Sequence, residues 1–354
     1  MRQTRRILQV ALKTALAAGI LGWMVRSGRL DLTQLSQAAH KWPYLLAIGA
    51  ICYTGFLLTA IRWRLLLASQ DVPLSLWKSF SLTMIGVLFS TVIPGTVSGD
   101  VVKAYYIGAS VPERSARAIR TILVDRIVGL LGLLMLSAAA GLFSYNVISG
   151  NREVRVFYWV VAAGVLCFAA GIAIAVVASR LAVNLADRMA GRFRVLSAVK
   201  ECLSTLAAFH AKPLVLVAAV TIGLPGQALT WVAFYLAARA LGISSLPLLP
   251  FLWIVPLGLV AMSIPIALAG LGIGQMAFYA LFQFVFPGHG NLGSSMSVVF
   301  RLAYITASLS VIVLYLTEPA RAAISAPSPE ETSQIRAGED QVLSPLETPE
   351  VRRV

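Results

Sequence analysis

Residues 92–100, VIPGTVSGD, interrupt an apolar segment with a proline, two glycines and an aspartate. Proline removes a backbone donor and clashes with the preceding helical turn, so this stretch predicts a break in a helix. A second stretch in the later half of the chain, residues 265–275, PIALAGLGIGQ, has the same character. The number and direction of the apolar segments around these two breaks decide the fold.

The composition is that of a membrane protein. Hydrophobic residues make up 58% of the 354 residues, charged residues make up 12%, and the mean hydropathy is +0.81. Soluble domains contain about 25% charged residues, and a core of soluble size cannot bury this much apolar surface. The sequence therefore predicts an all-α polytopic membrane protein.

Eight apolar runs have about the length of 20 residues that a helix needs to cross a bilayer. They lie at about residues 7–25, 44–61, 76–93, 121–143, 157–179, 213–238, 248–268 and 297–316. Two shorter apolar pieces, at about 97–110 and 270–286, each follow one of the Pro/Gly breaks. We therefore expect about eight spans and two additional short helical segments.

Basic residues indicate which connections share a side of the membrane. Sixteen arginines and lysines occur in the amino terminus and the connections 62–78, 103–120 and 180–212, against six in the alternate connections. Cytoplasmic connections have the excess of basic residues, so the first group is predicted to be cytoplasmic. Segments 76–110 and 248–286 must then each enter and leave on one side, from opposite faces.

These two segments are predicted to be re-entrant or broken hairpins that point toward each other. The residues that define them are Pro94, Gly95 and Gly99 in the first, and Pro265, Gly270, Gly272 and Gln275 in the second. Each half of the chain consists of two spans, a hairpin and a span, and the halves begin on opposite sides. We expect an inverted-topology repeat with halves at about 1–150 and 151–317.

Broken helices at membrane depth predict a polar cavity. An unpaired backbone amide or carbonyl in hydrocarbon is costly, so irregular backbone is tolerated only inside protein or beside water. Two facing hairpins would meet near the midplane, where inverted-repeat transporters bind their substrates. The alternative interpretation is that glycine and proline only allow the helices to approach closely.

Ionisable residues close to the breaks are the candidate binding residues. Arg126 and Arg301 each follow a hairpin, and their planar guanidinium groups suit a phosphate. Asp125 precedes Arg126 directly, while Asp100 and Lys103 follow the first break and are candidate neighbours of Arg126, with Asp100 the candidate charge partner. The alternative role for the two arginines is an interfacial anchor or a structural ion pair.

The sequence has no motif for metal, cofactor or nucleotide chemistry. It lacks HxxxH, HExxH and CxxC patterns, and AGLGIGQ departs from the dinucleotide-binding spacing. We expect no cofactor, no metal and no nucleic-acid partner. Residues 318–354 contain seven acidic and four basic residues among repeated prolines, which predicts a disordered cytoplasmic tail.

Four stretches resemble the lysylphosphatidylglycerol synthase transmembrane family, also called flippase-like domain proteins. In chain order they are IPGTVSGDVVKAYYIG, AIRTILVDRIVGLLGLLML, IPIALAGLGIGQMAFYALF and VVFRLAYITASLSVIVLYL. The resemblance implies a flippase-like transmembrane domain over residues 1–317 that lacks the family's soluble synthase domain, so lipid aminoacylation is not implied. The family usually has an acidic residue about where Gln275 stands.

The predicted function is a flippase in the bacterial inner membrane with both termini in the cytoplasm. Its expected partners are membrane lipids, either an anionic phospholipid or a lipid-linked phosphate, and a homo-oligomer is left open. The protein is not predicted to be an enzyme. One alternative is an integral-membrane transferase that uses Asp100 and Asp125 with a divalent metal, and another is a non-catalytic scaffold.

Overall fold

The computed structural model describes residues 41–92, 98–148, 150–177, 212–243, 248–263 and 272–310, with isolated positions between 22 and 40 and between 205 and 210. These described residues form helices and their connections, with no strand among them. Several predictions fall outside the described residues: those for Pro94, Gly95, Pro265, Gly270, most of the first span and the tail 318–354.

The first half of the described chain contains α1 (Trp42–Ser69), α2 (Leu76–Val92), α3 (Ser98–Ser110), a 3₁₀ turn at Pro112–Arg114 and α4 (Ser115–Phe143). The short α5 (Tyr145–Ile148) leads to α6 (Arg152–Val177), α7 (Pro213–Ala240), α8 (Leu248–Met262), α9 (Ile273–Val285) and α10 (Gly290–Leu309). The breaks between α2 and α3 and between α8 and α9 fall at the two Pro/Gly stretches.

The helices divide into long spans and short hairpin arms. Among the described residues, α1, α4 with its preceding turn, α6, α7 and α10 are long and apolar enough to cross a membrane. The arms α2, α3, α8 and α9 have only 17, 13, 15 and 13 residues. In each pair the two arms pack against each other. The predicted all-α membrane fold is confirmed by the helices and the apolar spans of the described residues.

Contacts between the two halves occur in corresponding pairs. Helix α1 packs most extensively on α7, which is its counterpart in the second half. Helix α4 packs on α7 and α8, and its counterpart α10 packs on α1 and α2. This exchange is the pattern expected of two related halves, while the division of the chain near residue 150 stays a prediction.

The first hairpin is closed by two facing glycines. A Cβ added to Gly99 would collide with the carbonyl oxygen of Gly86, and one added to Gly86 would lie 3.2 Å from the carbonyl oxygen of Gly99. Any side chain at Gly99 would push α2 and α3 apart. Gly99 therefore sets the spacing of the hairpin from within its second arm.

The second hairpin returns through a residue that requires glycine. Gly272 precedes α9 with a φ of 85°, a conformation that L side chains rarely adopt. Its backbone N–H donates to the Oε1 atom of Gln275, 2.6 Å away in the first turn of α9. The fully buried Gln275 side chain therefore caps the start of this helix.

Polar contacts gather the connections into two groups. Asp71 lies 3.8 Å from both Arg117 and Lys212, which joins three connections that the charge distribution places on one side. Lys41 donates through Nζ to the carbonyl oxygen of Arg239, 3.3 Å away, which joins two connections predicted on the opposite side. The folded chain thus groups its connections as the positive-inside rule predicts.

The packed interior is rich in aromatic residues. Phe234 of α7 stacks on Phe278 of α9 and on Phe300 of α10, with ring centroids 4.8 and 4.7 Å apart. Because these rings are buried, they join the second hairpin to two long spans. The polar side chains described next lie beside this apolar core.

Candidate functional site

A partly open cavity of about 600 Å³ lies between the helices of the bundle. Ser90 and Gly99 of the first hairpin and Leu259 and Ser263 of the second are among its lining residues. The ionisable residues that the sequence singled out all line it as well: Asp100, Lys103, Asp125, Arg126 and Arg301. The fold thus brings residues from positions 100 to 301 to one internal space.

Arg126 of α4 forms an ion pair with Asp100 of α3 through its Nε atom. This is the partner that the sequence suggested for Arg126. Asp100 lies in the first turn of α3, where a carboxylate also interacts favourably with the helix dipole. The side chains are 39% and 26% exposed, so the pair links the first hairpin to α4 at an accessible part of the cavity wall.

Asp125 forms a second and more buried ion pair. The Nε atom of Arg62 donates to its Oδ1 atom over 2.8 Å, and the two side chains are 8% and 10% exposed. The prediction that Arg62 lies in a connection at 62–78 is wrong, because α1 continues to Ser69. The apolar run Leu65–Leu67 after Arg62 was the signal that the span continues.

Two glycines make room for the Arg62 guanidinium. A Cβ added to Gly129 of α4 would lie 3.2 Å from Nη2, and one added to Gly223 of α7 would lie 2.8 Å from Nη1. Both glycines line the cavity beside Arg62. The buried ion pair therefore depends on small residues in two neighbouring helices.

Lys103 is buried at the cavity wall rather than exposed in a connection at 103–120, as the basic-residue count assumed. Helix α3 includes it, and its Nζ lies 3.5 Å from the centroid of the Trp63 ring, a cation–π contact. The Trp63 Nε1 atom donates to Thr121 Oγ1 over 2.9 Å. Removing Arg62 and Lys103 from the sixteen basic residues of the first group leaves fourteen against six, so the predicted sides stay the same.

Arg301 of α10 has a different environment. Its Cζ atom lies 5.1 Å from the centroid of the Tyr304 ring, and its buried Nε atom has no hydrogen-bond partner among the described residues. No ion pair with a described carboxylate involves Arg301. Buried polar atoms are generally hydrogen-bonded, so this Nε atom is an exception among the residues that line the cavity.

The lining is positively charged as a whole. Its described ionisable side chains comprise four basic residues and two acidic ones, which gives a formal net charge of +2. The basic residues are Arg62, Lys103, Arg126 and Arg301, and the acidic residues are Asp100 and Asp125. Hydroxyl and amide groups, including those of Thr59, Thr230 and Gln227, add uncharged polar surface. This arrangement suits an anionic group.

Gln275 and Gly272 have a structural role at the start of α9. Neither is among the residues that line the cavity, because the side chain of Gln275 is used to cap α9. In the part of the chain that the structure describes, no group of three His, Cys, Asp or Glu side chains could hold a metal ion. Asp100 and Asp125 are paired with arginines instead, so this geometry lends no support to the metal-dependent transferase.

The fold and the cavity define a multi-pass integral membrane protein with a polar interior. A comparison with protein families matches residues 10–314 to the lysylphosphatidylglycerol synthase TM region. The chain belongs to this family, as the resemblance indicated. Neither a curated protein nor a solved structure matches the chain.

Proposed function

We propose that the protein is a lipid translocase, which moves a phospholipid or a lipid-linked intermediate across the membrane. The observation that supports this proposal is the positively charged cavity beside two broken hairpins within an apolar bundle. A lipid headgroup occupies the cavity while its acyl chains stay in the bilayer. The membership of the transmembrane family is consistent with this function.

The cavity wall provides polar groups in place of the water that a phosphate loses on entering hydrocarbon. Transferring an isolated charge into an apolar medium is very costly unless fixed groups replace its hydration. Arg126, Arg301 and Lys103 are cationic donors on the wall. Charge-assisted hydrogen bonds from these groups replace the hydration of the phosphate during its passage.

The arrangement also suggests how the headgroup enters. Asp100 neutralises Arg126 in the state described here, so an arriving phosphate competes with Asp100 for the guanidinium. Displacing Asp100 removes the ion pair that links α3 to α4. We place the protein in the bacterial inner membrane with both termini cytoplasmic, because the connections richest in basic residues then face the cytoplasm.

Transport by proteoliposomes tests this function. We would reconstitute the purified protein with fluorescent phosphatidylglycerol, phosphatidate or phosphatidylcholine and follow the fraction of label that dithionite reaches over time. We expect faster transbilayer movement of the anionic lipids than in protein-free liposomes. Arg126→Gln and Arg301→Gln should each slow it about tenfold, the effect of losing about 1.4 kcal/mol of binding in the transition state.

The matched control is Arg120→Gln, which removes an exposed arginine from the same helix as Arg126. It should move lipid at the unaltered rate. Equal rates with and without folded protein would contradict the proposal. Equal rates for all three lipids would contradict selection by a charged cavity.

A further inference from the structure

The two halves place corresponding residues at the same positions of corresponding helices. Arg126 is the twelfth residue of α4, and Arg301 is the twelfth residue of α10. Asp100 is the third residue of α3, and Gln275 is the third residue of α9. The ion pair Asp100–Arg126 of the first half therefore has an uncharged amide in the corresponding place of the second.

This difference leaves a positive charge on one side of the cavity. Gln275 directs its Oε1 atom to the backbone N–H of Gly272. Arg301 retains a buried Nε atom without a hydrogen-bond partner among the described residues, and it contacts the ring of Tyr304. The second half thus presents a guanidinium where the first half presents a neutralised pair.

The remaining excess charge resides on Lys103. The two carboxylates of the described lining, Asp100 and Asp125, lie within salt-bridge distance of Arg126 and Arg62. Neither Lys103 nor Arg301 forms an ion pair with a described carboxylate. The formal charge of +2 in the lining is therefore that of one ammonium from α3 and one guanidinium from α10, both bordering the same cavity.

We propose that the cavity selects a headgroup with two negative charges, a phosphomonoester or a diphosphate, which Arg301 and Lys103 bind from opposite halves. A ligand of this charge neutralises the lining, whereas a phosphodiester with one negative charge leaves one buried cation uncompensated. An uncompensated buried charge is costly, and this cost disfavours the phosphodiester. The inference concerns binding, and it rests on the proposed function only in taking the ligand to be a lipid that the protein moves.

Two lipids that differ by one methyl group test the charge requirement without any substitution. Dioctanoyl phosphatidate has a phosphomonoester, and dioctanoyl phosphatidylmethanol is its singly charged methyl ester. We would measure the binding of each to the full-length protein in uncharged nanodiscs by titration calorimetry at pH 7, where a phosphomonoester carries close to two negative charges. We expect phosphatidate to bind at least about tenfold more tightly, as one additional charge-assisted contact provides.

Substitutions locate the two charges. Arg301→Gln and Lys103→Met should each weaken phosphatidate binding about tenfold and leave phosphatidylmethanol binding within about twofold. Arg301→Lys, which keeps the charge, should retain most of the preference for phosphatidate. The control Arg120→Gln, on the exposed face of α4, should bind both lipids as the unaltered protein does.

Competition by inorganic phosphate distinguishes a site for a lipid headgroup from a site for a soluble anion. We expect it to compete with phosphatidate only at concentrations about a hundredfold higher, because it lacks acyl chains that occupy apolar surface. Equal affinity for phosphate and phosphatidate would overturn the lipid assignment. Equal affinity for phosphatidate and phosphatidylmethanol would overturn the charge requirement. If the protein binds phosphatidate more tightly than phosphatidylmethanol but moves lipid no faster than protein-free liposomes do, only the proposed translocation is contradicted.

Discussion

Arg62 on α1 donates to Asp125 on α4 over 2.8 Å, and this buried pair joins two long spans beside the cavity. Arg126, which follows Asp125 on α4, pairs with Asp100 on the first hairpin. Consecutive residues of α4 therefore hold two different elements, because adjacent helical positions point about 100° apart. One turn of α4 fixes both α1 and α3 around the cavity.

Breaking the buried pair should destabilise the protein. Asp125→Ala leaves the Arg62 guanidinium buried without its carboxylate, and we expect a loss of about 3 kcal/mol. The double substitution Arg62→Met with Asp125→Leu removes both charges and should recover most of this loss. Thermal unfolding in a single detergent would measure the three stabilities. A double variant less stable than Asp125→Ala would show that the pair itself stabilises the fold.

The first hairpin should not tolerate a methyl group at its closest contact. Gly99→Ala places a Cβ against the carbonyl oxygen of Gly86, so α2 and α3 must separate, with a cost of about 1–3 kcal/mol. Gly164→Ala on α6 is the matched control, because its Cβ would meet nothing within 4 Å. Differential scanning fluorimetry should show a lower Tm only for Gly99→Ala, and equal Tm values would refute the close contact.

The buried Trp63–Thr121 hydrogen bond gives a third prediction. Thr121→Val removes the acceptor of the buried Trp63 Nε1–H group, which should cost about 1–3 kcal/mol. Thr83→Val makes the same substitution at a buried hydroxyl that has no hydrogen-bond partner among the described residues, so it should change stability little. Denaturation of both variants would compare them, and a larger loss for Thr83→Val would contradict the hydrogen-bond assignment.

The grouping of the connections predicts which residues share a side of the membrane. In a variant without its three cysteines, Asp71→Cys and Arg117→Cys should react with an impermeant maleimide from one face. Lys41→Cys and Arg239→Cys should react only from the other face, because the Lys41 side chain contacts the Arg239 carbonyl oxygen at the opposite end of the bundle. Labelling of inverted vesicles and of spheroplasts would separate the faces. Reaction of all four from one face would overturn the topology.

The parts of the fold that follow local rules could be predicted from the sequence. Pro/Gly breaks have a direct effect on the backbone, so the positions of the two hairpins were predictable. The pairing of Asp100 with Arg126 was also expected, because both follow the same break in an apolar region. The clustering of Arg301 with these residues followed from the predicted repeat.

Other parts of the site depend on tertiary packing, which one amino-acid sequence does not show. Arg62 was read as a boundary because charge usually ends a span, whereas burial against Asp125 and two glycines lets α1 continue past it. Lys103 was counted in the connection 103–120, but it lies within α3, where the ring of Trp63 holds its ammonium. Both errors arise because a partner that is distant in sequence offsets the cost of burying a charge. Asp125 is 63 positions from Arg62, and Trp63 is 40 positions from Lys103.

The exchange of contacts between the halves has a consequence for biogenesis. Helix α4 completes its packing only against α7 and α8, which the ribosome makes later, while α10 completes the surfaces of α1 and α2. Membrane insertion of the early helices therefore precedes their final association, as two-stage assembly allows. Until α10 emerges, the surfaces of α1 and α2 that it covers in the folded chain stay open to lipid.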